Sequence, residues 1–336
     1  MKAWVLQNFG LDNLKMVDVP VPEPGDNEVL IRVSAVSLNY RDKLIVEGLY
    51  NPELQFPMTQ VADTAGVVVQ TGKNVSRFQT GDRVITHYAT RWVDGPPTVD
   101  EVVHTLGNTI PGGLAEYLGM DENAVVHAPD YLTDDEAATL PVAALTAWHA
   151  LKEKGRLVSG QTVLIQGTGG VSIFALQMAM AFGAKVIVTS SNDEKLERAR
   201  NLGANKTINY VRVPDWHTEV LKMTEQQGVD HILEVAAGKS LRQSIEAIKP
   251  TGQISVIGIL DGVLSEIPIF RLLQKQASIV GLVTGSRKMF ENMNAELSKI
   301  KLHPILDSVY SFEDARKAYD RLYKGAFGKI VIRVAD

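Results

Sequence analysis

Between residues 28 and 39 the apolar positions alternate, with Val29, Ile31 and Val33 on one side of an extended chain. That period of two predicts a half-buried strand. Thr64-Ala65-Gly66-Val67-Val68-Val69-Gln70 is a β-branched run stopped by the turn signal Thr71-Gly72-Lys73-Asn74, and Gly81-Asp82-Arg83-Val84-Ile85 reads as a turn feeding another strand. Short strands between Gly, Pro and Asp clusters predict a small, mostly β, barrel-like domain. Residues 91–113 hold three prolines and four glycines with no clear period, and predict a long surface loop.

The rhythm changes near residue 130. Thr133-Asp134-Asp135-Glu136 is a capping-box pattern ahead of an apolar stretch over residues 137–151. Strand and helix patterns then alternate. Strands are predicted at 162–165, 185–189, 229–234 and 253–257, and helices at 171–182, 194–202 and 241–248, the first two closed by Gly183 and Gly203. This alternation predicts an α/β, doubly wound parallel sheet. The tail is mixed: Ser311-Phe312-Glu313-Asp314 caps a helix with Phe312, Ala315, Tyr319 and Leu322 on one face, and Lys329-Ile330-Val331-Ile332-Arg333-Val334 reads as a strand.

Composition narrows the picture in three ways. A length of 336 residues is about two domains. A net charge of −5 argues against a nucleic-acid partner. The cysteine count is zero, which excludes disulfides, thiolate nucleophiles and Cys-ligated metal. With no signal-like segment and no apolar stretch of membrane-spanning length, the expectation is a soluble, cytoplasmic protein without a membrane partner.

The strongest local chemistry is Gln166-Gly167-Thr168-Gly169-Gly170-Val171-Ser172, which follows a predicted strand and opens a predicted helix. In that context glycines serve a tight turn and close approach of the backbone to a pyrophosphate, which the helix N-terminus then holds. A glycine-lined connection that binds nothing is the bland alternative. An NAD site commonly puts Asp or Glu at the end of the second strand. Here Ser190 and Ser191 stand there, with Lys195 nearby, and Ser191-Asn192-Asp193-Glu194 reads as a capping box that accounts for the acids. The expected cofactor is therefore NADP(H).

Several stretches, in order and spacing, carry a resemblance over essentially the whole chain. They are Asn39-Tyr40-Arg41-Asp42, Asp63-Thr64-Ala65-Gly66-Val67-Val68, Gly81-Asp82-Arg83-Val84, Gly113-Leu114-Ala115-Glu116-Tyr117, Leu145-Thr146-Ala147-Trp148, the glycine turn, and Phe327-Gly328-Lys329-Ile330-Val331. The chain resembles the medium-chain dehydrogenase/reductase superfamily, most of all its zinc-free quinone-oxidoreductase-like and alcohol-dehydrogenase-like branch. The resemblance implies a GroES-like, mostly β catalytic domain from both chain ends, residues 1–126 and 288–336. It also implies a Rossmann dinucleotide-binding domain over 127–287, a cofactor cleft between them, and a homodimer through the sheet edge near 277–283. Zinc-dependent relatives place metal ligands at positions that match Asn39, Ala62-Asp63 and Val142, of which only Asp63 can ligate; no metal is expected.

Without a Lewis acid, a conjugated acceptor is an easier hydride target than a simple alcohol. The resemblance implies Asn39, Arg41 and Tyr50 as catalytic candidates. Asn39 would orient substrate or nicotinamide ribose, Arg41 would hold an oxyanion or a cofactor phosphate, and Tyr50 would donate a hydrogen bond or proton. A salt bridge to Asp42 or Asp63 is the plainer reading of Arg41, and a packed aromatic that of Tyr50. Tyr40, Thr146, Tyr210, Val235, Gly258, Ile259, Val283, Thr284 and Gly285 are implied cofactor contacts, beside Gly167 to Val171, Ser190, Ser191 and Lys195. His87 and His149, lacking an identified partner, read as structural. Three functions follow: an NADP(H)-dependent reductase of a small-molecule quinone, enone or other activated carbonyl; a zinc-free alcohol or aldehyde oxidoreductase; and an NADPH-binding protein with a mainly non-redox role.

Overall fold

The computed structural model describes residues 1–335, and the chain divides into two compact units. One is built from both ends, Met1–Leu145 with Thr284–Asp336, and the other is the insert Thr146–Val283. The boundaries differ from those expected at 126/127 and 287/288. Residues 127–145 stay with the first unit because the His127 end of the Val125–His127 strand pairs with Val84, and the Asp134–Ala137 helix packs on the long strands Glu28–Leu38 and Asp63–Thr71.

In the first unit a seven-stranded sheet is centred on Glu28–Leu38. On one side the strand pairs antiparallel with Asp63–Thr71; on the other it pairs with Tyr117–Asp121 at its start and with the C-terminal strand Lys329–Arg333 at its end. The last pairing joins residues far apart in sequence, with Ile330 opposite Leu38 and Ile332 opposite Val36. A smaller sheet holds Lys2–Leu6 between Leu14–Asp18 and Met58–Thr59. Trp4, Leu6, Ile31, Val68, Trp92, Leu106, Tyr319 and Ile332 form part of a single buried core. That core corrects the expected surface loop at 91–113: Trp92 and Leu106 are buried, Thr98 caps a short helix Val99–Val103, and Ala89 bridges to Thr105.

The insert is a six-stranded parallel sheet. Its order is Lys206–Asn209, Lys185–Ser190, Thr162–Gln166, Val229–Glu234, Ile248–Val256 and Ser278–Gly281. Chain order reverses between Thr162–Gln166 and Val229–Glu234, the switch point at which such sheets bind ligands beyond the strand ends. The helices fall within a residue of expectation, at Gly170–Ala181, Asp193–Asn201 and Ser240–Ala247. One cap is shifted: Asn192, not Ser191, is the N-cap, its side chain accepting from the Lys195 backbone at 2.9 Å. Asn192 has the extended backbone of an N-cap and its amide oxygen reaches the N3 amide, so Ser191 remains outside the helix. Among the described residues no helix is long and apolar enough to cross a membrane.

Candidate active site

The glycine turn supplies a backbone cradle. Gly167 takes φ +73, a left-handed conformation that an L side chain resists. Ser172 Oγ donates to the Gln166 carbonyl at 2.7 Å and ties the helix start to the strand end. Gly169 is the N-cap of a 12-residue helix and has no side-chain cap. A Cβ built on it meets nothing within 4 Å, so the space in front of this helix end is open. Thr168 is buried, and Gly170 and Val171 form the first turn. Uncapped N–H groups and open space fit a pyrophosphate.

A network absent from the expected residues holds the switch point. Glu234 is fully buried and accepts from Gln166 Nε2 at 2.8 Å, from the Ser244 hydroxyl, and from the backbone N–H groups of Ala236 and Ala237 at 3.1 and 2.9 Å. Gln166 Oε1 in turn accepts from Val235 N at 3.2 Å. One amide thus spans the ends of two neighbouring strands and sets Val235 beside Gly167, whose Cβ would lie 3.8 Å from Val235 Cγ2. Gly258 follows the next strand and packs so closely on Val235 that a Cβ would come within 2.4 Å of its carbonyl oxygen. Ile259 is exposed beside it.

At the end of the second strand Ser190 is buried, its Oγ accepting from Asn192 N at 3.3 Å, whereas Ser191 is exposed. Tyr210 is half-exposed and donates its backbone N–H to the Ser190 carbonyl at 3.2 Å. Lys195 is half-buried one turn into the helix. Asp193 is engaged by Asn209 Nδ2 at 2.8 Å and by Arg212. The sequence reading missed Arg212, which lies three positions after Lys206–Asn209, a strand that it did not predict. Thr146 is buried, and Val283 is exposed with its carbonyl 3.3 Å from His149 Nδ1.

In the first unit Asn39, Arg41 and Asp42 begin the helix Tyr40–Val46 and are all buried. Asp42 Oδ2 accepts from Asn39 N at 2.7 Å, a reciprocal cap that fixes this helix start. Arg41 donates to the Leu106 carbonyl at 3.0 Å and lies 3.7 Å from Asp42 Oδ1. Its guanidinium sits over the rings of Tyr88 and Tyr50, at 4.7 and 5.1 Å, and its Nε and Nη2 have no protein partner among the described residues. Tyr50 is partly exposed with its hydroxyl 3.0 Å from that of Tyr88, so both readings of Tyr50, packed and hydrogen-bonding, describe part of it. Tyr40 is exposed, with Lys43 over its ring. Thr284 is buried, and the Gly285 carbonyl accepts from His87 Nε2 at 2.8 Å. Burial holds the His87 imidazole down to about 4, so it is neutral near pH 7.

Asp63 pairs not with Arg41 but with Lys329. Lys329 Nζ, fully buried, donates to Asp63 Oδ2 at 3.0 Å, to Asn39 Oδ1 at 2.6 Å and to the Leu38 carbonyl at 2.9 Å. Asp63 Oδ1 accepts from Val142 N at 3.1 Å. Burial pushes the Asp63 carboxyl up, and the Lys329 ammonium and Asn39 amide oppose that. Burial likewise raises Asp42 to about 6 despite Arg41. Asn39, Asp63 and Val142 are the positions matched to zinc ligands, and here they converge on a carboxylate already shared between an ammonium and a backbone N–H. That donor set does not fit zinc, and among the described residues no group of three or more His, Cys, Asp or Glu is placed to hold a metal.

Residues 25–130 match the alcohol dehydrogenase GroES-like domain family, and residues 170–299 the zinc-binding dehydrogenase family. Fold and sequence together define an oxidoreductase with a nicotinamide cofactor. The chain belongs to the medium-chain dehydrogenase/reductase superfamily. It is 42% identical to a zinc-type alcohol dehydrogenase-like protein of Schizosaccharomyces pombe, over 97% of this chain and 96% of that one. It is 29% identical to the quinone oxidoreductase of Homo sapiens, over 94% and 92%. Among solved structures, a provisionally named alcohol dehydrogenase from Sinorhizobium meliloti superposes with TM-score 0.94 at 44% identity, covering 99% of this chain and 98% of that one. An NAD-dependent alcohol dehydrogenase superposes at 0.89 with 31% identity, each chain covered in full.

Proposed function

We propose that the chain is an NADP(H)-dependent reductase that transfers hydride to a quinone, enone or other activated carbonyl without zinc. The observation that carries this reading is the Lys329 ammonium bound to Asn39 and Asp63, at positions where zinc-dependent relatives place ligands. When bound, the reduced nicotinamide supplies the hydride. The chain supplies the rest. Asn39 orients the acceptor or the nicotinamide ribose, the Arg41 cation held over Tyr50 and Tyr88 stabilises negative charge, and the Tyr50 hydroxyl donates a hydrogen bond. On the insert Thr146, Val235, Gly258, Ile259 and Val283 are the nicotinamide contacts of this reading, with Thr284 and Gly285 next after Val283 in the chain. For the choice of NADP(H), exposed Ser191 and half-buried Lys195 follow a strand end that carries no acid, and Asp193 is already paired with Arg212 and Asn209. Tyr210 borders the adenosine.

The test is cofactor consumption with NADPH and NADH across quinones, enones, aldehydes and alcohols, together with metal analysis of the purified protein. NADPH-linked reduction of enones or quinones that chelators leave intact is expected. Turnover of simple alcohols abolished by chelation would overturn the zinc-free reading. Alcohol or aldehyde turnover insensitive to chelators selects a zinc-free alcohol or aldehyde oxidoreductase instead. Tight NADPH binding without turnover selects a non-redox role. A homodimer through the sheet edge Ser278–Gly281 completes the proposal; that strand ends the sheet order, and Ile269, Phe270 and Leu273 on the helix that precedes it in the chain are exposed. Sedimentation at the mass of a single chain would count against it.

A further inference from the structure

We propose that Gln166 and Glu234 are positioning residues for the nicotinamide half of the cofactor, acting through the backbone of residues 235–238, which they hold in place. This rests on the reading of the insert as a cofactor-binding unit and is independent of the substrate. The glycine turn marks the seat of a pyrophosphate, between the end of Thr162–Gln166 and the start of Gly170–Ala181. In a doubly wound sheet the adenosine ribose lies at the end of the second strand, here Lys185–Ser190. That strand flanks Thr162–Gln166 on one side, and Val229–Glu234 flanks it on the other. The other half of a dinucleotide therefore leaves the pyrophosphate over the end of Val229–Glu234, where Val235 and Ala236 are partly exposed.

Successive backbone N–H groups at that strand end are all held by this one pair of side chains. Val235 N donates to Gln166 Oε1 at 3.2 Å, and Ala236 N and Ala237 N donate to Glu234 Oε1 at 3.1 and 2.9 Å. Such a run of amides is a seat for an anion, and the chain fills it with its own carboxylate. The same bonds hold Ala237 at φ +55, a left-handed conformation that a residue with a Cβ adopts only under constraint. The two side chains are matched to each other. Gln166 must turn its oxygen to Val235 N, because a backbone N–H can only donate, and its nitrogen then meets Glu234 Oε2 at 2.8 Å. Glu234 meets neutral donors alone: the Gln166 amide, the Ser240 and Ser244 hydroxyls and the two backbone N–H groups. A buried carboxylate held in this way is costly to keep. What it yields is a loop whose shape is set before any ligand arrives. Both side chains are buried, so the pair acts through the loop and not by touching a ligand.

The experiment measures dissociation constants for the reduced cofactor and for its adenosine fragment, adenosine 2′,5′-bisphosphate for NADPH or adenosine 5′-monophosphate for NADH. Glu234→Gln sets an amide nitrogen against donors, and Gln166→Glu sets carboxylate against carboxylate. Each is expected to weaken the whole cofactor about tenfold and the fragment by less than about twofold. The exchanged pair, Gln166→Glu with Glu234→Gln, again gives each acceptor a donor, and is expected to bind the cofactor within about threefold of wild type. Equal losses for cofactor and fragment would overturn the proposal, since a general loosening of the insert spares neither. So would an exchanged pair that binds no better than the single variants. Should the single variants fail to fold, amide hydrogen exchange of the wild-type protein carries the test. The N–H groups of Val235, Ala236 and Ala237 are expected to be protected without cofactor, and exchange as fast as in an open loop would overturn the proposal. A wild-type protein that binds neither NADPH nor NADH overturns the cofactor reading itself, whereas unchanged cofactor affinity in both single variants sinks the proposal alone.

Discussion

The glycine turn at 167–171 and the lysine cluster at 329 are both polar sites in an apolar frame, and they are built in opposite ways. The turn is local and made of backbone. Its longest tie within the loop, Ser172 to Gln166, spans six residues. The cluster is non-local and made of side chains: Lys329 lies 266 residues from Asp63 and 290 from Asn39. A local backbone site survives most substitutions outside it. A side-chain cluster with a buried charge pair depends on each member, because removing one leaves the other desolvated and unpaired.

Lys329→Met is the harshest way to break that contrast. It should destabilise the protein by about 3–5 kcal/mol in equilibrium denaturation, and adding Asp63→Asn should recover much of the loss. If the single change leaves stability intact, the pair is not the closed unit described. Next in size is a pH effect in the same unit. His87 has a folded-state value near 4 against an ordinary 6.5. A depressed value means that its contribution is present above pH 6.5 and is lost as pH falls through 4, about 3 kcal/mol in all. His87→Gln should flatten the fall in unfolding free energy between pH 6.5 and 4, and an unchanged slope would remove His87 as its source.

The turn should respond in binding and not in stability. Gly169→Val adds a side chain where nothing lies within 4 Å. Thermal unfolding should stay near wild type while NADPH affinity falls about thirtyfold, ~2 kcal/mol. A loss of stability with intact binding would reverse the comparison. The smallest expected effect concerns cofactor choice. Ser191→Asp, at an exposed position, should move the NADPH-to-NADH preference about tenfold toward NADH. The same change at buried Ser190 should give less, because that hydroxyl already faces Asn192 N. Equal effects at both would place the 2′-phosphate elsewhere.

Legibility followed the same division. The strand–helix alternation, the turn and the Thr133 capping box could be read because each is encoded within a dozen residues. The surface-loop reading of 91–113 failed because Trp92 and Leu106 are buried by partners scattered through the first unit, and no local period reports that. Asn39, Arg41 and Asp63 were named through the family resemblance, which did not give their partners. Arg41 took Tyr88 as well as Asp42, and Asp63 took Lys329. Gln166 stood inside the glycine motif, yet its bond to Glu234 depends on which strand lies next to which.

By itself the sequence determined the doubly wound insert, the tight glycine turn between its first strand and helix, and the lack of any cysteine for metal. Those are statements about local backbone preference and residue chemistry. Only the tertiary structure decided that the C-terminal strand lies against Glu28–Leu38 and so delivers Lys329 to Asn39 and Asp63. The physical reason is that a buried charge is tolerable only when long-range packing brings its counter-charge and acceptors within hydrogen-bond reach, and no stretch of sequence states where that partner comes from.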